Sequence, residues 1–173
     1  MMLEKLKIED FKQVYDLIEL SFPQDEYRSY ENQRALLNDE SYSISVLYSS
    51  NKEVMAFIAS WEFEHFIYIE HFALNPRHRG SGIGTQLLEE FVNNAKSVVC
   101  LEVEMPENEM AHRRIKFYER NGFYLNDFPY HQPSLDFGKD NIPLRIMSFG
   151  ALLSLIQFEH VQSTLYRVVY QVK

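Results

Sequence analysis

The stretch RHRGSGIGTQLLEEF, Arg77 to Phe91, sets Gly80, Gly82 and Gly84 at alternate positions just where a helix-like pattern begins. Glycine lets a backbone approach a ligand closely and turn consecutive N–H groups inward. A helix start adds N–H groups without intrahelical partners and the positive end of the helix dipole. Phosphate or pyrophosphate suits such a place, and Arg79, with Arg77 or His78, can supply a charge-assisted contact. Two familiar phosphate motifs fail here. A P-loop requires a lysine and then Ser or Thr after its last glycine; Gly138-Lys139 is followed by Asp140 and lies in another loop. A dinucleotide fingerprint requires GxGxxG, but Thr85 takes the third glycine's place. Glu104, about 20 residues on, is then only an isolated acid at the ribose-binding distance.

The remaining reactive residue types are less suggestive. His65 and His71 stand beside Glu62, Glu64 and Glu70, but alternation along strands scatters them over both faces, so no metal site is expected. Cys100, the one cysteine, sits in the apolar run SVVCLEVEM and reads as a buried structural thiol. The formal charge of −8 argues against a nucleic-acid partner, which requires a basic surface, and suits a cationic one. There is no apolar run long enough to span a bilayer. The charged start MMLEKLKIEDFKQ does not read as a secretory signal, so a cytoplasmic protein without a membrane partner is expected.

The chain has 173 residues, 46% of them hydrophobic, which suits one substantial core and a single domain, 1–173. Residues 3–8 read as a short strand. Phe11, Val14, Tyr15, Ile18 and Phe22 then form a helical stripe that Pro23 ends, and SYENQRALLNDE reads as a second helix capped by Ser29. SYSISVLYSS and EVMAFIASWEFE make a hairpin across Asn51-Lys52, followed by the strand HFIYIEHFAL. After the glycine turn come a helix, the buried strand at Ser97–Met105, and a basic helix bearing Arg113, Arg114, Lys116 and Arg120 that stops at Asn121-Gly122. Strands FYLNDF and PLRIMSFG, joined by loop 129–142, and a helix over 151–170 complete the chain. A strand–helix–strand in this order requires a parallel crossover. The expected class is α/β with a mixed sheet and the glycines at the central strand-to-helix turn, where ligands favour binding.

Arg79 to Gly84 matches the pattern Arg/Gln-x-x-Gly-x-Gly/Ala after a strand ending in Asn75-Pro76, and RRIKFYERNGF, Arg113 to Phe123, supplies Phe-Tyr-Glu-x-x-Gly-Phe one strand later. With both motifs in this order, residues 53–125 resemble the GNAT acetyltransferase superfamily. The resemblance implies a mostly antiparallel mixed sheet flanked by helices, with the parallel βαβ crossover at the cofactor site. It also implies acetyl-CoA as co-substrate, with no metal, bound through Arg79, Gly80, Ser81, Gly82, Ile83, Gly84 and Thr85. Phe72, Ala73 and Leu74 would serve the thioester and pantetheine, their N–H groups freed by a bulge at that strand end. Many relatives carry an asparagine where Ala111 stands; Asn108, one turn earlier, takes over that contact, caps the helix, or does neither.

Acetyl transfer to an amine requires loss of an amine proton, stabilisation of the oxyanion, and a proton for the leaving thiolate. Tyr118 matches the family tyrosine, which acts as the acid toward the CoA sulfur. Glu70, on the face of Phe72 and Leu74 by alternation, is the candidate base, with His71 facing the other way in a regular strand. Tyr130 and His131 in loop 128–143 are candidate acceptor contacts. Leu152, Leu155, Ile156, Val161, Leu165 and Val169 are a candidate homodimer surface. The expected function is therefore direct acetyl transfer to an amine of a small molecule or peptide. A non-catalytic acyl-CoA-binding or regulatory module is the alternative.

Overall fold

A computed structural model describes residues 2–136 and 139–173, so the Gly138 set aside above lies outside the described residues. The chain forms two compact units, Met1–Ser97 and Val98–Lys173.

The first unit is an antiparallel sheet with helices. Strands β1 (Glu4–Lys5), β2 (Tyr42–Tyr48), β3 (Val54–Glu62) and β4 (Phe66–Leu74) pair in sequence order. Helix α1 (Phe11–Ser21) buries Phe11, Val14, Tyr15, Leu17 and Ile18, the stripe its spacing predicts, with Leu17 added. Residues 22–29 lead to α2 (Tyr30–Ala35), whose first turn is capped by Ser29 Oγ accepting from Asn32 N. Helix α3 (Ile83–Asn94) buries Leu87, Leu88 and Val92, and Leu87 packs with Leu47 and Ala56. The first strand is shorter than the expected 3–8, because Leu6 N is the last to bond the β2 edge, at Ile44 O, before the chain turns into a 3-10 stretch.

The second unit is built around β8 (Ile142–Phe149). Strand β5 (Val98–Glu104) pairs antiparallel with one edge, while β6 (Phe123–Leu125) and β7 (Tyr130–Gln132) share the other. Helix α4 (Glu109–Arg120) ends where expected. Gly122 takes φ +87°, and a Cβ there would come within 2.9 Å of the Phe149 ring. Helix α5 (Leu155–Thr164) opens with a reciprocal Ser154–Gln157 cap and continues into a wider π turn over Leu165–Val169.

Two expectations change. Tyr130 is not a loop residue lining an acceptor pocket: it lies in β7, 1% exposed, and its hydroxyl donates to Glu102 Oε1 at 2.5 Å. A three-residue strand next to Pro133 leaves too short an alternation to read from sequence. The apolar set on 151–170 also divides, since Val161, Leu165 and Val169 are buried within this unit and only Leu152, Leu155 and Ile156 remain exposed.

Candidate active site

The glycine turn forms as its composition requires. Asn75 starts it, its Oδ1 accepting from Arg77 N at 3.1 Å over a 3-10 turn, Pro76–His78. Ser81 Oγ closes the loop on His78 O at 2.6 Å. Gly80 and Gly82 take φ +77° and +79°, conformations that cost other L-residues about 1–2 kcal/mol. A Cβ placed on either would meet nothing within 4 Å, so backbone strain alone demands glycine and the outer side of the turn is open. Gly82 is the N-cap of α3 and offers no side chain to its N–H groups. The first-turn donors at Ile83, Gly84 and Thr85 therefore lack the usual capping oxygen, and the positive end of a 12-residue helix faces outward. Arg77 and Arg79 are exposed beside it. An anion is the chemical complement of this arrangement.

Strand β4 leads into that turn and differs from the regular strand expected. Ala59 pairs with His71 but Ser60 with Ile69, so Glu70 is an extra residue, a bulge. The expected bulge at Ala73 and Leu74 is absent, because their pairing with Phe57 and Ala56 is in register. Asn75 N donates to Met55 O at 2.8 Å, and by alternation Ala73 N–H also points at β3, while those of Phe72 and Leu74 point away. The Leu74 side chain packs into the core.

The bulge also overturns the expectation that His71 faces away from Glu70. Both side chains reach residues 22–33. Arg28 Nη1 donates to Glu70 Oε1 at 2.8 Å, and Gln33 Nε2 to Oε2 at 3.4 Å and to Tyr42 Oη at 3.0 Å. His71 stacks edge-on against Phe22 and its Nε2 donates to Glu26 O at 2.8 Å. A carbonyl only accepts, so Nε2 carries the proton. Nδ1 is then a buried lone pair without a hydrogen bond, 3.6 Å from Glu70 Oε2.

Burial pushes the Glu70 carboxyl up, but the Arg28 guanidinium and the hydrogen bonds from Arg28 and Gln33 hold the acid below its ordinary value. Burial keeps His71 below its ordinary value despite Glu70 and Glu26 O, so the imidazole is neutral. The Glu70 side chain is only 3% exposed although the residue as a whole is half-buried, so what the bulge presents is mainly backbone. A carboxylate so committed is a poor proton acceptor for a substrate.

In the second unit, Asn108 caps α4: its Oδ1 accepts from Ala111 N at 2.8 Å. Of the two roles foreseen, capping is the one the geometry displays. Tyr118 lies one helix length on, buried against Phe117 and Phe123. Its hydroxyl has no hydrogen-bond partner among the described residues, whereas those of Tyr15, Tyr48, Tyr130, Tyr166 and Tyr170 all donate to backbone or carboxylate oxygens. Burial pushes Tyr118 up to about 12, with Arg114 acting weakly the other way. It is thus protonated at neutral pH and its proton is uncommitted. Among the described residues no group of three or more His, Cys, Asp or Glu is gathered as for a metal.

The profile of the acetyltransferase (GNAT) family matches residues 11–123, which include both the glycine turn and the Phe117-Tyr118 helix. The chain belongs to that family. A GNAT-family acetyltransferase structure from Bacteroides thetaiotaomicron is 34% identical, with TM-score 0.88 over 100% of both chains. YjbC of Bacillus subtilis (strain 168), named as an acetyltransferase, is 26% identical over 124 residues; this chain covers 62% of its length, and the match takes in 70% of the chain. A mutant of the spermidine N-acetyltransferase SpeG from Vibrio cholerae shares the fold at 14% identity, TM-score 0.64, over 86% of this chain and 94% of its own. The α/β class with mostly antiparallel strands is thus the fold of this GNAT chain.

Sequence reasoning missed Arg28 and Gln33. Both sit among polar residues, in DEYRSYENQRA, where nothing distinguishes a buried side chain from a solvated one. Their burial at 5% and 0% follows from the bulge, which no periodicity announces.

Proposed function

We propose that this GNAT chain is an acetyl-CoA-dependent N-acetyltransferase that moves the acetyl group directly to an amine in a ternary complex, the whole of 1–173 serving as one acetyltransferase domain. The observation that carries the reading is the glycine turn at the start of α3, two left-handed glycines with open space before uncapped helix N–H groups. Arg79, Gly80, Ser81, Gly82, Ile83, Gly84 and Thr85 bind the pyrophosphate in this proposal, and the strand end Phe72, Ala73 and Leu74 lies along the acyl arm. Asn108 supports the site by capping α4.

The amine nitrogen attacks the acetyl carbonyl carbon, the C–S bond breaks, and the thiolate receives a proton as the amide forms. Tyr118 supplies a hydrogen bond, and then the proton, to the departing sulfur. A hydroxyl held near 12 is a weak acid, so its main contribution is hydrogen bonding to the developing negative charge. Glu70 acts in this reading as an anchor, tying residues 22–33 to the bulge, and not as the proton acceptor. The amine enters neutral or loses its proton to water. The net charge of −8 favours the approach of a cationic amine, and the fold shared with spermidine N-acetyltransferases agrees with an amine acceptor. A screen of amines with acetyl-CoA, following release of free thiol, tests the reaction: amine-dependent release supports it, and none with any amine, despite acetyl-CoA binding, favours a binding module.

A further inference from the structure

The opposite end of α3 faces a second cavity, of about 310 Å³, that the acetyl-transfer reading does not use. We propose that it binds a small organic cation bearing a primary amine, at a site separate from the acetyl acceptor. The sheet face beneath α3 changes character along its length. Leu47 packs with Leu87, but Ser45 and Ser43, two and four residues earlier on the same face, line the cavity instead. Ser60 is the registered partner of Ser43, and with Glu62 it lies on the face opposite Trp61, whose ring packs on Tyr42. Three hydroxyls thus converge where apolar residues would ordinarily meet a covering helix.

Ser60 is the telling residue. It is 6% exposed, lines the cavity, and its hydroxyl has no hydrogen-bond partner among the described residues. Its oxygen opens to the cavity, where it can accept from a bound donor. The surrounding charge selects the ligand's sign. Glu62 and Glu90 both line the cavity, and Glu90 gives only Oε1 to Leu3 N, at 3.0 Å. Asn94 ends α3, whose last turn holds no basic residue, so the negative end of the helix dipole is uncompensated within the helix. Lys96 also lines the cavity and, like Glu62, is exposed, so it offsets one of the two carboxylates and leaves the lining acidic. Serine hydroxyls and carboxylates accept hydrogen bonds from an ammonium group, and the volume is that of a small-ligand site. The same helix would hold an anion at its first turn and a cation at its last, about 18 Å apart at 1.5 Å per residue.

Calorimetric titration of the full chain, without acetyl-CoA, with 1,4-diaminobutane and with 1,4-butanediol as the neutral control tests this. The expected result is saturable binding of the diamine and none of the diol. Ser60→Ala and Glu62→Gln should each weaken diamine binding about tenfold, one charged hydrogen bond, while amine-dependent thiol release from acetyl-CoA is unchanged. No diamine binding, equal binding of the diol, or diamine affinity unaltered in both variants overturns the proposal. The last outcome would place the amine elsewhere, the acetyl acceptor site included. Loss of thiol release in the two variants would overturn the separateness of the site.

Discussion

Tyr118 keeps a proton that Tyr15, Tyr130 and Tyr170 spend on oxygen acceptors. Its hydroxyl has no partner among the described residues, and burial of the residue keeps it protonated well past neutral pH. Tyr118→Phe should lower kcat by on the order of 10²–10⁴ while acetyl-CoA affinity, measured by titration, stays the same. An unchanged kcat removes the hydroxyl from the chemistry. Glu70 is argued differently, because its carboxylate is spent on Arg28 and Gln33. Glu70→Gln breaks the buried Arg28–Glu70 ion pair and should cost about 3–5 kcal/mol of stability by denaturant unfolding. The pH profile of its residual kcat/KM should keep the wild-type shape. Disappearance of an acidic limb would instead restore Glu70 as the base. The pairing partner of Glu70 was the part of the site least legible in the sequence, since a single extra residue in β4 re-aims both Glu70 and His71. Alternation is a rule for regular strands, and a bulge leaves no mark on it. Tyr118 was legible through the resemblance of Phe117 to Phe123 to the family's Phe-Tyr-Glu-x-x-Gly-Phe motif.

Elements position these residues through their ends. The α3 start is specified by two left-handed glycines, and Gly82→Glu should abolish acetyl-CoA binding in a titration, by adding a charge of the wrong sign before the helix N–H groups. The unfolding midpoint should fall by the left-handed backbone strain alone, about 1–2 kcal/mol, since nothing lies within 4 Å of the new Cβ. Retained binding would mean the turn holds no phosphate. At the start of α4, Asn108→Ala should cost about 1 kcal/mol of stability through the lost cap on Ala111 N. Acetyl-CoA affinity should not change; a large drop would give Asn108 the cofactor contact. Both helix starts were readable from sequence, because caps and glycines act locally. The short β7 was not, for the same reason reversed: its existence depends on β8, to which it pairs through residues 142–144.

Over the whole molecule, acid should be more damaging than the net charge suggests. His71 is held neutral in the fold below its ordinary value of 6.5, so as pH falls below that value the unfolded chain takes a proton the folded chain refuses. Stability is lost there, and lost further below about 4.5, where unfolded carboxylates protonate while Glu70 in the fold does not. Thermal unfolding between neutral and mildly acidic pH should show the decline, and His71→Asn should flatten its upper part; an unaltered slope would contradict the neutral imidazole. The fold class and the antiparallel meander followed from period and turn residues, whereas the division of 151–170 into buried and exposed apolar residues depended on packing that no sequence pattern encodes. The central claim is acetyl transfer to an amine by way of the glycine turn and Tyr118. Its most direct measurement is free-thiol release from acetyl-CoA across an amine panel, run beside Gly82→Glu and Tyr118→Phe. The account predicts amine-dependent release by the native chain and its near loss in both variants. Release that persists undiminished in both would contradict it.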